Sequence, residues 1–297
     1  LAFCNLISRG DFNSNVVLLN FVGFFGPVAL FRVFNHQFPG HPKLFLFICF
    51  LIPTNLCYTS CLHKDLFVFT ALGLFIYALY FLMNEAFSRR RVLLLMLSFM
   101  CLLLMRNFLA IALIPATIGW MICKRTNLKA TAAFAISYIV PIIFLLIAGA
   151  IQPELNVLHY FSDRQAEYLT LPKAHTQIPL TTLKPDLYSF FQMLPEALNH
   201  GFFRPYLWES SDMLVIVTAL ELLAIFWIPV CFFLYKRNRL STPLIVFCFV
   251  LTLSMFLLIG YIVPNTHSIV RYRSIYLPLV AAPLLLSIFQ KQTKTSY

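Results

Sequence analysis

Nine apolar stretches of 14 to 22 residues dominate this chain, and most charged residues fall between them. A bilayer core takes roughly 20 helical residues to cross. Lipid satisfies no backbone hydrogen bonds, so only helices or a closed barrel can span it. A barrel needs short segments that alternate apolar and polar residues, whereas these runs are apolar on every face. The pattern therefore predicts an all-α, polytopic helical membrane protein with about nine transmembrane or re-entrant helices. Composition agrees: 60% of the 297 residues are hydrophobic and 11% charged, with mean hydropathy +0.82, far from a soluble domain.

The predicted spans are 15–34, 43–57, 66–83, 92–105, 108–122, 131–150, 213–234, 243–262 and 274–289. The second, fourth and fifth are short, which predicts tilted, half-buried or re-entrant segments whose ends are shielded by protein. Loop Lys and Arg set the orientation. The connections at Arg32/Lys43, Arg89 to Arg91, Lys124/Arg125/Lys129, Lys236/Arg237/Arg239 and Lys291/Lys294 hold thirteen basic residues and one acid, Glu85. The other side and the membrane hold nine basic residues and ten acids. This places the N-terminus of the chain outside and the C-terminus in the cytoplasm. It also explains the net charge of +11 as topology, with the lipid bilayer as partner and no nucleic acid.

The first residue is Leu1, not Met, and no cleavage site is evident, which predicts that a segment precedes it. The expected organisation is one membrane domain, 1–297, with an elaborated external region at 151–212. Within that region Leu187, Phe190, Phe191, Leu194 and Leu198 recur at helical spacing, predicting an amphipathic interfacial helix. The eight cysteines lie mostly inside apolar runs and read as small buried hydrophobes. Cys57 and Cys61 are the one pair spaced for redox chemistry, and both fall on one helical face.

Several cations sit on the side that topology leaves poor in them. Lys64, in His63-Lys64-Asp65 at the head of the third span, is one, beside an Asp65 whose position also suits helix capping. Arg106 breaks the apolar hairpin 92–122; a charge at that depth is costly and marks a functional candidate, a solvated hairpin tip being the plainer reading. Arg204, Tyr206, Trp208 and Glu209 coincide in Phe-Phe-Arg-Pro-Tyr-Leu-Trp-Glu. The Arg suits bidentate phosphate or carboxylate recognition, and the rings offer faces to a sugar. An aromatic belt with Arg204 paired to Glu209 is the structural alternative. Arg271 and Arg273 flank Tyr272 before the last span, and in extended chain both would reach one side, two cations suiting a diphosphate. Glu221, inside the seventh span, needs a partner or a proton. No metal-type His/Cys/Asp spacing and no glycine-rich nucleotide fingerprint occurs, so neither metal nor cofactor is expected.

The run from Asn15 to Lys129, with Leu51-Ile52-Pro53 leading to Ser60-x-x-His63-Lys64-Asp65 and then Arg106 in a broken hairpin, resembles bacterial polysaccharide polymerases of the Wzy and EpsG type. More widely it is similar to multi-span, GT-C-like glycosyltransferases that use polyprenyl-linked sugars. The Phe-Arg-Pro-Tyr-x-Trp-Glu element and the closing Arg-Tyr-Arg resemble features of the same group. The resemblance implies transfer of a glycan from an undecaprenyl diphosphate carrier to an acceptor at the outer face of the bacterial inner membrane, without a metal. It implies partners in envelope biosynthesis or export. By this resemblance Lys64, Arg106, Arg204, Arg271 and Arg273 hold the diphosphate, His63, Tyr206 and Trp208 complete the substrate site, and Glu209 or Asp65 is the base. Related transferases often carry an acid in a first external loop, which in a chain lacking its start falls before Leu1. Two other classes fit the composition: a transporter or flippase for an anionic or lipid-linked substrate, which would favour matched repeats, and a non-catalytic subunit of an envelope complex.

Overall fold

The computed structural model describes residues 2–61, 63–152, 154, 156–172, 176–209, 212–227 and 242–289. The basic loop at Lys236, Arg237 and Arg239, the tail lysines Lys291 and Lys294, Cys231 and the end of the 213–234 run lie outside them. Among the described residues the secondary structure is helical, with one isolated bridge between Gln177 and Asn265. In chain order the helices are α1 (Ala2–Ser8), α2 (Phe12–Gly23), α3 (Phe25–Gln37), α4 (Pro42–Phe50), α5 (Pro53–Ser60), α6 (Lys64–Asn84), α7 (Arg89–Met105) and α8 (Asn107–Arg125). They continue as α9 (Ala130–Ile151), α10 (Val157–Thr170), α11 (Leu187–Leu198), α12 (Met213–Leu222), α13 (Pro243–Ile262), α14 (Thr266–Ser274) and α15 (Leu277–Phe289). Single π-helical turns extend α11 over Asn199–Phe203 and α12 over Leu223–Trp227.

Among the described residues five helices are long and apolar enough to cross a membrane: α2 with α3, α6, α8, α9 and α13. The count rises to seven if the bent pairs α4–α5 (48°) and α14–α15 (66°) are one span each. The short second run is thus a helix broken at Leu51-Ile52, with Pro53 opening its second half because proline is tolerated in a first helical turn. The fifth run is longer than its apolar residues suggest, since α8 carries on through Lys124 and Arg125. The fourth, α7, has 17 residues.

The chain divides into two compact units. The first comprises 1–113 and 274–282, and its centre is α6, most of whose side chains are buried. Gly73 of α6 sits where an added Cβ would lie 2.4 Å from the Gly26 carbonyl oxygen of α3, so the two backbones meet without side chains between them. Asp11 starts α2 by accepting a hydrogen bond from the Ser14 amide at 2.7 Å, satisfying an amide the helix leaves unpaired.

The second unit comprises 114–273 and 283–297. Much of 151–212 is ordered as helix within it, capped by Asn156 at α10 and Asp186 at α11. Gln165, almost fully buried, ties this region together: its amide donates to the carbonyls of Thr181 and Tyr261 and accepts from the Leu183 amide at 2.6 Å. The expected amphipathic helix is α11; it buries Ser189, Met193 and Ala197 against the protein, while Leu187 and Phe191 stay exposed. At Ala197 α11 lies backbone-to-backbone on α13: a Cβ on Gly260 would fall 2.0 Å from the Ala197 carbonyl oxygen.

Candidate functional site

Two groups of the expected residues are built by these units, one in each. In the first unit α6 begins at Lys64, and Asp65 stands in its first turn where a negative charge favours the helix dipole. Arg106 is the residue between α7 and α8, its backbone outside both helices. Arg106 Nη2 reaches Asp65 Oδ1 at 2.9 Å; the carboxylate side chain has no exposed surface and the guanidinium side chain is 12% exposed. Arg106 also hydrogen-bonds the Tyr276 side chain, which lies at the break between α14 and α15. His63 stands beside the pair with Nδ1 3.9 Å from Asp65 Oδ2, too far for a hydrogen bond, and Lys64 is exposed. The break is braced by Asn55, whose buried amide donates to the Ser274 carbonyl at 2.9 Å.

In the second unit the chain leaves α11 through its π-helical turn and enters the Phe202 to Glu209 segment. Arg204 Nε lies 2.9 Å from Glu209 Oε1, both side chains being about one-fifth exposed. The contact is off-line for an Nε hydrogen bond, so it acts through charge. Glu209 Oε2 accepts from the Tyr206 amide, closing a short turn. Tyr206 stacks on Trp208 with centroids 4.9 Å apart and planes 7° from parallel, and its hydroxyl donates to Asn199. Trp208 is 79% exposed. Beside the stack is a cleft of about 170 Å³ whose walls are almost wholly apolar, formed by Phe202, Phe203, Leu207, Leu223, Phe226 and Trp227 among others.

Arg273 stands behind this segment with no exposed surface. Its Nη1 donates to the carbonyls of Gly201 at 3.1 Å and Arg204 at 2.6 Å. Its Nε and Nη2, the edge that takes a carboxylate or phosphate in a two-point contact, have no hydrogen-bond partner among the described residues. Glu221 of α12 acts on Arg273 through its charge, which answers the need for a counter-ion inside an apolar helix. Arg271 does not point with it. Because Thr266–Ser274 is helical and not extended, residues two apart diverge, and Arg271 packs on Tyr272, 4.8 Å from the ring centroid. His200, buried in the π-helical turn, has its pKa lowered by burial and then by the Arg204 charge.

Sequence reasoning singled out Asp65, Arg106, Arg204, Glu209 and Arg273 but not the groups that hold them. Tyr276 and the Gly201 carbonyl carry no charge and no motif, and Gln165 and His200 sit in unremarkable surroundings. Among the described residues no group of three His, Cys, Asp or Glu is placed to hold a metal ion. Comparison with family models, curated proteins and solved structures returned no match.

Proposed function

We propose that this chain is an envelope glycosyltransferase of the polysaccharide-polymerase kind, moving a glycan from a polyprenyl diphosphate carrier to an acceptor hydroxyl at the outer face of a bacterial inner membrane. The observation that carries the reading is the Phe202 to Glu209 segment. It holds side by side an apolar cleft, an arginine, a stacked aromatic pair open to solvent and a reachable carboxylate. A lipid-linked sugar has a part to match each of the first three: an apolar chain, a phosphate charge and a ring with an apolar face.

In this reading the Arg204 guanidinium neutralises the diphosphate, the buried Arg273 holds the Gly201 and Arg204 carbonyls in place behind it, and Trp208 carries the sugar face. Glu209 takes the proton of the acceptor hydroxyl as its oxygen attacks the anomeric carbon. The bond from that carbon to the diphosphate oxygen breaks, and the carrier leaves as an anion stabilised by the guanidinium charge. Glu209 is the better base of the two carboxylates, because each is paired with an arginine at 2.9 Å but only Glu209 has exposed surface. Nine membrane segments, with an external N-terminus, a cytoplasmic C-terminus and 151–212 outside, complete the proposal on the basic-residue pattern. A second reading, transport of an anionic substrate, draws on the buried Asp65–Arg106 pair, since intramembrane charges often line substrate paths.

The test is to replace Arg204 by Gln, Arg271 by Gln and Glu209 by Gln separately in the native host and measure surface glycan length and carrier-linked intermediates. Shortened glycan with accumulated carrier-linked units is expected for Arg204→Gln and Glu209→Gln. Wild-type glycan in all three variants overturns the catalytic proposal.

A further inference from the structure

We propose that Cys57 and Cys61 form a dithiol–disulfide pair at the turn leading into His63 and Asp65. Both thiols are exposed, whereas Cys4, Cys49 and Cys248 are buried. Cys57 lies in α5, and Cys61 is the residue just beyond its end, with extended backbone (φ −82°, ψ 161°). The Cys61 thiol rests 3.3 Å from the Cys57 carbonyl oxygen, so it is folded back over the last helical turn. Residues four apart on a helix have Cβ atoms about 5–6 Å apart, and a disulfide needs about 3.5–4.5 Å. Inside a helix that gap stays open because both backbones are fixed by the hydrogen-bond ladder. Here only Cys57 is so fixed, and rotation about the Cys61 backbone can close it. The frame around the pair is tied: Asn20 donates to the Ser60 carbonyl at 2.9 Å, and the His63 amide donates to the Cys61 carbonyl at 2.7 Å.

The reaction is thiol–disulfide exchange. The thiolate of one cysteine attacks a sulfur of a small-molecule or protein disulfide and expels one thiolate. The second cysteine then attacks the mixed disulfide, forming the Cys57–Cys61 bond and expelling the other. Two protons pass to solvent and two electrons to the disulfide reagent. The supply of oxidant rests on the outer-side placement proposed above, where such disulfides persist; the geometry of the pair does not.

The experiment uses the purified full chain in detergent, equilibrated with excess glutathione disulfide, then treated with maleimide, digested and weighed. The expected result is a peptide containing both cysteines that is lighter by two hydrogens and takes maleimide only after reduction. In the reduced protein, phenylarsine oxide, a reagent for neighbouring thiols, shields both from maleimide together. Cys57→Ser and Cys61→Ser each abolish the mass loss and the shielding. Full maleimide labelling of both thiols after oxidation, glutathione adducts persisting on each, or a bond between two chains would overturn the proposal. The readout needs no glycan transfer, so it stands or falls separately from the enzymatic reading.

Discussion

The buried Asp65–Arg106 pair makes the sharpest energetic prediction. At 2.9 Å two unit charges attract by about 6 kcal/mol at an effective dielectric of about 20, against about 1.4 kcal/mol in water. Desolvating each ion costs several kcal/mol, so the pair as a whole adds little, but removing one partner strands the other and costs about 3–5 kcal/mol. The two halves are not equivalent. Asp65→Asn strands Arg106, which keeps some exposure and the Tyr276 contact, so a loss near 3 kcal/mol is expected. Arg106→Gln strands a carboxylate with no exposed surface, so its loss should lie nearer 5 kcal/mol. The double variant Asp65→Asn/Arg106→Gln should recover at least about 2 kcal/mol relative to the sum. Reversible unfolding in mixed micelles supplies the four values. A coupling below about 0.5 kcal/mol, the size of a solvated surface pair, or an Arg106→Gln variant milder than Asp65→Asn, refutes the burial argument.

Three further outcomes follow from the second unit. Trp208→Ala should leave unfolding stability within about 0.5 kcal/mol, because the ring is largely exposed. The same change should weaken binding of a carrier-linked oligosaccharide by about 1 kcal/mol, roughly fivefold; unchanged binding by native mass spectrometry removes Trp208 from the substrate site. Gly260→Ala forces a Cβ to within 2.0 Å of the Ala197 carbonyl oxygen and should cost about 1–3 kcal/mol through backbone displacement; a neutral effect in the same unfolding assay contradicts the close approach of α11 to α13. Burial and the Arg204 charge lower the His200 pKa below the ordinary 6.5, with Glu196 opposing them. The unfolded chain therefore takes up this proton first. The stability that neutral His200 allows is full above about pH 6.5 and declines as pH falls below it. His200→Asn should flatten that part of the profile, and an unchanged slope argues against the burial.

The membrane class was legible because it rests on composition and run length, which packing does not alter. Span ends were less so. Charged residues mark where lipid exposure ends, not where the helix ends, as Lys124 and Arg125 inside α8 illustrate. Arg106 was visible as an interruption of an apolar hairpin, but its pairing with Asp65, 41 residues earlier, is tertiary and leaves no local trace. The pairing of Arg204 with Glu209 was legible as the structural alternative because the two are close in sequence. Arg271 and Arg273 were expected to act together in extended chain, yet the segment is helical and turns them apart. In α11 the large apolar residues marked an amphipathic helix, but the face it packs on protein, Ser189, Met193 and Ala197, was not legible, because the close approach of Gly260 in α13 to Ala197 is a fact carried by another helix.

The most direct test of the central claim is turnover by the full chain reconstituted in bilayer nanodiscs with a polyprenyl diphosphate-linked oligosaccharide as donor and acceptor. The account predicts carrier-linked products longer than the input and released polyprenyl diphosphate in equal amount, with both lost in Glu209→Gln and Arg204→Gln proteins that unfold like the wild type. Unaltered input with wild-type protein that demonstrably binds the donor, or full turnover in the Glu209→Gln protein, would contradict it.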